Sequence, residues 1–409
     1  MARRPRILFL SQWFEPEPTY KGLSFVQNLR GRGFDVDVVT GFPNFPSGAL
    51  FPGYRVRPVM REVMDGVRVT RVPLYPSHDA NGLRRSLNYL SFCLSATLYL
   101  LFRKRRYDAI YVYHPPITVG LAAAVAGLVR RTPFVLEVQD LWPDAVAASG
   151  MASDRIVGPL NAACRFVYRR AARIVAQSRG MGARIAERGA GEEKVRVVYN
   201  WAEEADTIPP GRTDLEPFGF GGRFSILYAG NMGPHQALET AVEAARLAAA
   251  QVPGLRLILV GGGIEMDRLR ALAQQDDRDV VRVLPGVARA QIADLMAAAD
   301  VLLVSLADLP LYAITVPSKT QFYLASGKPI LAALEGEAGN IVRAAGAGVV
   351  VPPQDAKALA RAMVELARTP LEQMAEMGEH GSAYYRANLS LTAGMDRIVE
   401  VIREAARDR

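Results

Sequence analysis

Residues 226–236 read Ile226-Leu-Tyr-Ala-Gly-Asn-Met-Gly-Pro-His-Gln236, a short apolar run that ends in a glycine-bearing turn. The helical pattern Ala237–Ala250 follows directly. A buried strand, a glycine turn and a helix form the repeating unit of parallel α/β sheets. Such a turn can hold a diphosphate with backbone N–H groups, and Gly230, Asn231, His235 and Gln236 are its candidate contacts. The alternative is a glycine turn that binds no phosphate.

The same alternation of strand and helix patterns runs through the whole chain. In the first half, strands are predicted at Arg6–Leu10, Val36–Thr40, Val67–Val72, Ala109–Tyr113, Phe134–Val138, Ile174–Ala176 and Val195–Val198. In the second half they are predicted at Ser225–Tyr228, Leu255–Val260, Val280–Leu284, Val301–Ser305, Pro329–Ala332 and Gly348–Val351. Two Rossmann-like series therefore follow one another, which predicts an α/β protein with two parallel sheets.

A non-periodic stretch separates the two series. Trp201–Phe224 contains Pro209-Pro210-Gly211 and is predicted to be the interdomain linker. We expect a first domain over residues 1–205, a second over residues 206–375, and C-terminal helices over residues 376–409. The last of these, Thr392–Arg407, is expected to cross back to the first domain.

Composition favours a folded cytoplasmic protein. Half of the 409 residues are apolar and 22% are charged, enough for two cores. The only cysteines, Cys93 and Cys164, exclude a disulfide framework and a structural zinc site. After the basic start, the apolar run Ile7–Leu10 is too short for a signal peptide.

The charge is divided unevenly along the chain. Residues 1–200 hold 29 Lys and Arg against 15 Asp and Glu, whereas residues 201–409 hold 20 against 26. The first half therefore faces a polyanion, which could be anionic lipid, nucleic acid or a phosphorylated substrate.

The longest uncharged run, Ser86–Phe102, is bracketed by Arg84-Arg85 and by Arg103-Lys104-Arg105-Arg106. Its seventeen residues fall short of the ~20 that a membrane span requires. On a helix, Asn88, Ser91 and Ser95 form one thin polar stripe. The helix belongs either in the domain core or partly in a bilayer surface, where the arginines meet lipid phosphates. The basic clusters favour the membrane surface.

Three further turns carry candidate chemistry. Lys21 and Gly22 precede the helix Phe25–Arg30, where backbone donors can meet an anion. Asp140 follows the strand Phe134–Val138, where a carboxylate can bind sugar hydroxyls or stabilise an oxocarbenium-like transition state. Asp140 or Asp144 could instead cap a helix.

The third turn is Thr315-Val-Pro-Ser-Lys-Thr320, which opens the helix Gln321–Ser326. Ser318 or Thr320 can cap this helix, and Lys319 can place a positive charge on a leaving phosphate. No acidic cluster is present to hold a metal. The run Leu259-Val-Gly-Gly-Gly263 lacks the full dinucleotide-binding pattern, and no P-loop occurs.

Together these segments resemble the retaining family-four glycosyltransferases of the GT-B fold, in the branch of O-antigen and colanic-acid enzymes that includes N-acetyl-L-fucosaminyl transferases. The resemblance covers almost the whole chain. The matching stretches are Gly41–Gly48, Pro52–Tyr54, Val72–Asp79, Leu87–Phe92, Val138–Asp144, Tyr228–Asn231, Val316–Lys319 and Gly327–Ile330.

This resemblance implies two Rossmann-like domains whose sheets face across a cleft. It implies a nucleotide-sugar donor, usually UDP-linked, at the second domain, with no cofactor and no metal. The acceptor would be a saccharide on a polyprenyl diphosphate at the inner face of the cytoplasmic membrane, in surface polysaccharide assembly, and no nucleic acid partner is expected. Asp140 and Lys319 would be catalytic. Substrate-binding residues would be Lys21, Gly22, His114, Gly230, Asn231, His235, Gln236, Gly262, Gly286, Val287, Pro317, Ser318 and Thr320.

The chain departs from the wider family at its Glu-x7-Glu element, whose positions hold Ile314 and Phe322. Ribose and phosphate binding must therefore use other groups, with His235 and Lys319 as candidates. The main hypothesis is a retaining hexosyltransferase that acts by front-face attack on an N-acetylated or deoxy hexose donor. The alternatives are a GT-B sugar-nucleotide epimerase and a non-catalytic sugar-nucleotide-binding subunit.

Overall fold

A computed structural model describes residues 3–77, 82–114, 116–144, 154–209 and 211–407, without the side chains of His114, 154–156 and Ala205. The chain forms two compact units. The first unit contains Met1–Val198 and Met395–Arg409, and the second contains Tyr199–Gly394. Both are α/β units, which confirms the predicted fold class.

The first unit is built on an eight-stranded sheet with the order β3-β4-β2-β1-β5-β6-β7-β8. Neighbouring strands are parallel except for the pair β3 and β4. The order reverses between β1 and β5, so their carboxyl ends form the switch point where such sheets present ligand contacts. The strands are β1 (Arg6–Leu10), β2 (Asp35–Gly41), β3 (Met60–Met64), β4 (Val67–Val72), β5 (Ala109–His114), β6 (Phe134–Val138), β7 (Arg173–Ala176) and β8 (Val195–Val197).

Helices cover this sheet and bury its central strands completely. Ile7 to Leu10 of β1 are fully buried, as expected for a parallel strand with a helix layer on each side. The helices are α1 (Leu23–Gly31), α2 (Gly82–Phe102), α3 (Ile117–Arg130), α4 (Asp154–Arg170) and α5 (Arg179–Ile185).

The second unit has a six-stranded parallel sheet with the order β11-β10-β9-β12-β13-β14. Its switch point lies between β9 and β12. The strands are β9 (Phe224–Asn231), β10 (Leu255–Gly262), β11 (Val281–Pro285), β12 (Val301–Ser305), β13 (Ile330–Ala333) and β14 (Gly348–Val351). The helices are α6 (Leu238–Ala249), α7 (Met266–Ala273), α8 (Arg289–Ala298), α9 (Pro310–Ala313), α10 (Ser318–Ser326), α11 (Glu337–Ala345), α12 (Ala356–Arg368) and α13 (Leu371–Asn388). The last helix, α14 (Leu391–Arg407), begins in this unit and belongs to the first unit from Met395 onward.

The stretch Trp201–Phe224, predicted to be a linker, belongs instead to the second unit. The buried Asp294 carboxylate accepts hydrogen bonds from the backbone N–H groups of Gly211, Arg212 and Thr213 at 2.7–3.2 Å, and from the Thr213 hydroxyl at 2.6 Å. These bonds fix a segment that has no periodicity of its own. The units therefore divide at 198/199 and 394/395, where the sequence placed boundaries at 205/206 and 375/376.

Residues 395–409 return to the first unit. Within that unit, Asp396 of α14 pairs with Arg32 at 3.0 Å, and Glu404 pairs with Arg173 and Arg196 at 2.8 and 2.9 Å. Ile398 and Ile402 on the same helix are fully buried. The end of α14 is therefore part of the first unit's core.

Candidate functional site

A cavity of about 400 Å³ lies in the second unit, where β9 ends and α10 begins. This volume falls in the range of small-molecule sites. Its described lining includes four of the predicted site residues, Gly230, Asn231, Ser318 and Lys319. The lining residues that sequence reasoning missed are Asp206, Ala229, Arg289, Ile292, Met296, Phe322 and Tyr323.

Gly230 makes room for the Lys319 side chain. Its φ is 143°, a value that glycine adopts far more readily than other residues. A Cβ at this position would lie 2.6 Å from the Lys319 Nζ. The same Nζ lies 4.7 Å from the centre of the Tyr228 ring, so the ammonium packs between the Gly230 backbone and an aromatic face.

Lys319 is a partly dehydrated cation. Burial lowers its pKa to about 8, so the ammonium is still charged at neutral pH. No carboxylate in the described part of the chain pairs with it. A cation in this state attracts an anionic ligand strongly, because little water has to be displaced.

A carboxylate, Asp206, lines the same cavity as the Lys319 ammonium. The Asp206 carboxylate forms an ion pair with Arg289, the first residue of α8. The Arg289 guanidinium lies 6.0 Å from the centre of the Phe322 ring. Phe322 sits three residues after Lys319 on α10, a spacing that places both on one helix face. No local sequence pattern indicates that Asp206 lines a binding site, because it lies in the stretch Trp201–Phe224 that was predicted to be the linker.

The remaining residues of the β9 turn shape that turn. The Gln236 side-chain oxygen accepts hydrogen bonds from the Gly233 N–H at 3.0 Å and from the Asn231 amide at 3.3 Å. His235 is exposed, with its ring 5.6 Å from that of Tyr312. Neither His235 nor Gln236 is among the residues that line the cavity.

The glycine positions at neighbouring strand ends share this edge of the sheet. Gly262 is exposed at the last residue of β10, and Gly286 follows β11. A Cβ on Gly286 would lie 3.7 Å from the Gly261 backbone. Val287 is partly buried against the apolar core. Their contact with a ligand stays a prediction.

The capping expectation at α10 is wrong. The helix begins at Ser318 after the extended residue Pro317, and no side chain caps it. Thr320 is fully buried and its hydroxyl has no described hydrogen-bond partner, so it faces the protein interior rather than the cavity. Ser318 and Lys319 are therefore the residues of this turn that reach the cavity.

In the first unit, Lys21 belongs to a buried network centred on Glu137 of β6. Both side chains are fully buried and form an ion pair. Glu137 also accepts hydrogen bonds from Tyr111, from Gln139 at 2.6 Å and from Gln177 at 3.1 Å. Burial lowers the pKa of Lys21, and the Glu137 carboxylate opposes that shift. The buried Glu137 carboxylate is thus a partner of the Lys21 ammonium, and the contact of Lys21 with a ligand stays a prediction.

Gly22 lies at the start of α1 next to a carboxylate of the chain itself. The Glu15 Oε1 accepts a hydrogen bond from the Leu23 N–H at 2.7 Å. A Cβ on Gly22 would collide with the same carboxylate. The helix N-terminus that was predicted to meet a donor phosphate is therefore occupied by Glu15 in this structure.

Asp140 is exposed just beyond β6. Nearby protein atoms displace part of its water and raise its pKa. It has no hydrogen-bond partner among the described residues, whereas Asp144 pairs with Arg188. His114 ends β5, and its side chain lies outside the described part of the structure. Asp140 is thus free to contact a polar ligand, and its catalytic role stays a prediction.

Helix α2 buries one polar residue, Asn88, among apolar residues and exposes a stripe of large apolar side chains. The buried Asn88 accepts from Gln12 at 2.6 Å and donates to the Tyr75 carbonyl at 2.7 Å. The Ser95 hydroxyl donates to the Pro73 carbonyl. The outward stripe consists of side chains that are 45–80% exposed: Leu83, Leu87, Leu90, Leu94, Leu98 and Phe102.

Only part of the basic cluster Arg103–Arg106 after α2 is exposed in the structure. Arg103 is buried beside Tyr107, and Arg105 is paired with Asp35 and Asp37. Lys104 and Arg106 are the exposed cations of the four. Among the described helices, none has the length and apolar character needed to cross a membrane.

Two family models match the chain, one in each unit. The Glycosyl transferase 4-like domain matches residues 23–201, and Glycosyl transferases group 1 matches residues 223–369. The chain is a glycosyltransferase of the GT-B fold.

This glycosyltransferase is similar to two curated relatives. The probable glycosyltransferase WbjE of Pseudomonas aeruginosa is 27% identical over 73% of this chain and 76% of its own length. The putative colanic acid biosynthesis glycosyl transferase WcaI of Escherichia coli is 28% identical over 66% and 69%.

Solved structures show the same fold at low identity. HepE of Anabaena in complex with UDP-glucose superimposes with a TM-score of 0.66 at 19% identity, covering 97% of this chain and 99% of that one. An α,α-trehalose 6-phosphate synthase of Burkholderia multivorans has a TM-score of 0.72 at 14% identity, with 100% and 98% covered.

Proposed function

We propose that this glycosyltransferase moves an N-acetylated or deoxy hexose from a UDP-sugar to a saccharide carried on a polyprenyl diphosphate, with retention of configuration and without a metal. It would act at the inner face of the cytoplasmic membrane in surface polysaccharide assembly. The observation that carries the lipid-linked acceptor is the outward apolar stripe of α2. A helix that exposes a continuous stripe of leucines in addition to its buried apolar side is suited to a lipid surface.

The cavity beside α10 supports a nucleotide-sugar donor. A diphosphate at Lys319 would be held by the ammonium, by backbone donors near Gly230 and by the helix N-terminus. The complex of HepE with UDP-glucose, a solved structure of the same fold, favours a UDP-sugar. The described residues contain no group of three or more His, Cys, Asp or Glu side chains placed to hold a metal ion.

The reaction would follow from charge stabilisation at this cavity. The bond between the sugar anomeric carbon and the diphosphate oxygen breaks, and the electron pair leaves with UDP, where Lys319 stabilises it. The acceptor hydroxyl attacks the same face of the sugar and gives its proton to the departing phosphate. Asp140 would hold sugar hydroxyls or stabilise the positive charge that develops on the ring.

The test is transfer of labelled sugar from a panel of UDP- and GDP-sugars to membrane lipid extract, in the presence of a metal chelator. We expect labelled lipid from at least one UDP-sugar, and at least a tenfold lower rate for Lys319→Ala with its unfolding temperature preserved. Conversion of the free donor to another sugar nucleotide would indicate an epimerase. Binding of UDP with no labelled product would indicate a binding subunit.

A further inference from the structure

The cavity beside α10 presents opposite charges from different segments of the second unit. Lys319 comes from α10, and Asp206 comes from a short turn over Glu204–Thr207. We propose that the Asp206–Arg289 pair selects the ribose of the donor, with the Asp206 carboxylate accepting hydrogen bonds from the 2′- and 3′-hydroxyls. This inference rests on the proposed nucleotide-sugar site and assigns the part of it that recognises the nucleoside.

Asp206 has the acceptor capacity that a ribose diol requires. An ionised carboxylate only accepts hydrogen bonds and has about four acceptor positions. Arg289 approaches the Oδ2 atom, and Oδ1 remains available. The Asp206 side chain is 28% exposed, so a ligand in the cavity can reach it. Among the described lining residues, Asp206 is the one carboxylate, and a diol there has no other ionised acceptor.

Hydrogen bonds to the C-terminal helices fix the turn that carries Asp206. The Ala202 N–H donates to the Tyr385 hydroxyl at 3.1 Å, and the Glu204 Oε1 accepts from the Leu391 N–H at 3.0 Å. Tyr385 is buried in the core of the unit. These anchors hold the carboxylate in place before a ligand arrives, which lowers the entropy cost of binding.

Arg289 makes the carboxylate compatible with an anionic ligand. A diphosphate bound at Lys319 would be repelled by a bare negative charge in the same cavity. The guanidinium neutralises that charge and leaves the hydrogen-bonding capacity of Oδ1. It also lies over Phe322, whose ring adds an apolar surface for the nucleoside.

The experiment measures affinities of the full chain for UDP and GDP and for their 2′,3′-dideoxy forms by calorimetry. We expect the preferred ribonucleotide to bind wild-type protein about 10–100-fold more tightly than its dideoxy form, because hydrogen bonds to a charged group are lost. Asp206→Asn should lower the ratio of ribonucleotide to dideoxy affinity at least tenfold, because the unpaired Arg289 charge acts on the diphosphate of both forms alike and cancels in that ratio. Glu203→Gln is the matched control, since it removes an exposed carboxylate of the same segment, and it should keep the preference.

A second variant separates the two members of the pair. Arg289→Gln should weaken both nucleotides while the preference for ribose survives, because Asp206 then stays charged without its neutralising partner. Equal weakening of both forms by Asp206→Asn, or an intact ribose preference in that variant, would overturn the ribose assignment while the donor site stands. Failure of every nucleoside diphosphate to bind the wild-type chain would overturn the donor site and this assignment together.

Discussion

At the residue scale, the proposed role of Lys319 predicts that donor binding depends on pH. Burial lowers the pKa of its ammonium to about 8, and the diphosphate in the proposed function would bind the charged form. As the pH rises above that value the free enzyme loses the proton, so UDP affinity should fall by up to about tenfold per pH unit between pH 8 and 9.5. The phosphate ionises near pH 6, so it contributes no change in this range. Calorimetric titration of UDP from pH 7 to 9.5 measures the effect.

The matched variant is Lys319→Arg, because a guanidinium remains charged throughout this range. Its UDP affinity at pH 7 is expected to be lower, since a larger planar group has to fit where the Lys319 ammonium packs close to Gly230, but the decline above pH 8 should disappear. An identical decline in this variant would show that a different group titrates.

At the scale of a single element, α2 should carry the affinity for lipid. Leu90 and Leu94 are 56% and 63% exposed, so replacing both with Gln removes apolar surface without opening a cavity. The double variant should bind vesicles at least about 20-fold more weakly, from a loss of about 2 kcal/mol of apolar burial. Its thermal unfolding should match the wild-type chain. Co-sedimentation with vesicles gives the comparison.

Two controls separate apolar from electrostatic contributions to this binding. Leu371→Gln changes a leucine that is 84% exposed on α13 of the second unit, and it should leave vesicle binding intact. Lys104→Gln with Arg106→Gln should weaken binding only to vesicles that contain anionic lipid, and added salt should have the same effect. Full binding by the Leu90 and Leu94 variant would assign α2 to another partner.

At the scale of the whole molecule, the predictable features were those that depend on local pattern. Strands such as Arg6–Leu10 and Val301–Ser305 match the prediction because they are short apolar runs buried on both faces. The antiparallel strand β3 was missed because Met60–Met64 is an edge strand that alternates partly buried and exposed residues and lacks a β-branched run. Sequence pattern also identified the Lys319 turn, since strand ends and helix starts are local.

Features that depend on distant partners were not predictable. The helical pattern of α2 was visible in the sequence, but which side of the helix faces the core was not. Asn88 faces inward because it forms hydrogen bonds with Gln12 and with the Tyr75 carbonyl. In the sequence, Arg103 and Arg105 belong to a cluster of cations with no evident partners. The structure places Arg103 beside Tyr107 and pairs Arg105 with Asp35 and Asp37. Asp206 lies in a non-periodic segment whose structure depends on hydrogen bonds to Asp294, about eighty residues later in the chain, so its position could not be predicted. Each case turns on a side-chain pairing between elements, which periodicity does not encode.

The division of the chain into units makes a prediction about α14. Ile402 is fully buried and belongs to the first unit, although 196 residues of the second unit precede its segment. Ile402→Ala should lower the free energy of unfolding of the first unit by about 2–5 kcal/mol, the cost of a cavity in a packed core. Ile226→Ala, at a fully buried position of β9, should act on the second unit instead. Hydrogen exchange read peptide by peptide distinguishes them: Ile402→Ala should accelerate exchange in β1, β5 and β6 while UDP still protects β9 and α10. Faster exchange confined to residues 199–394 in that variant would place the end of α14 with the second unit.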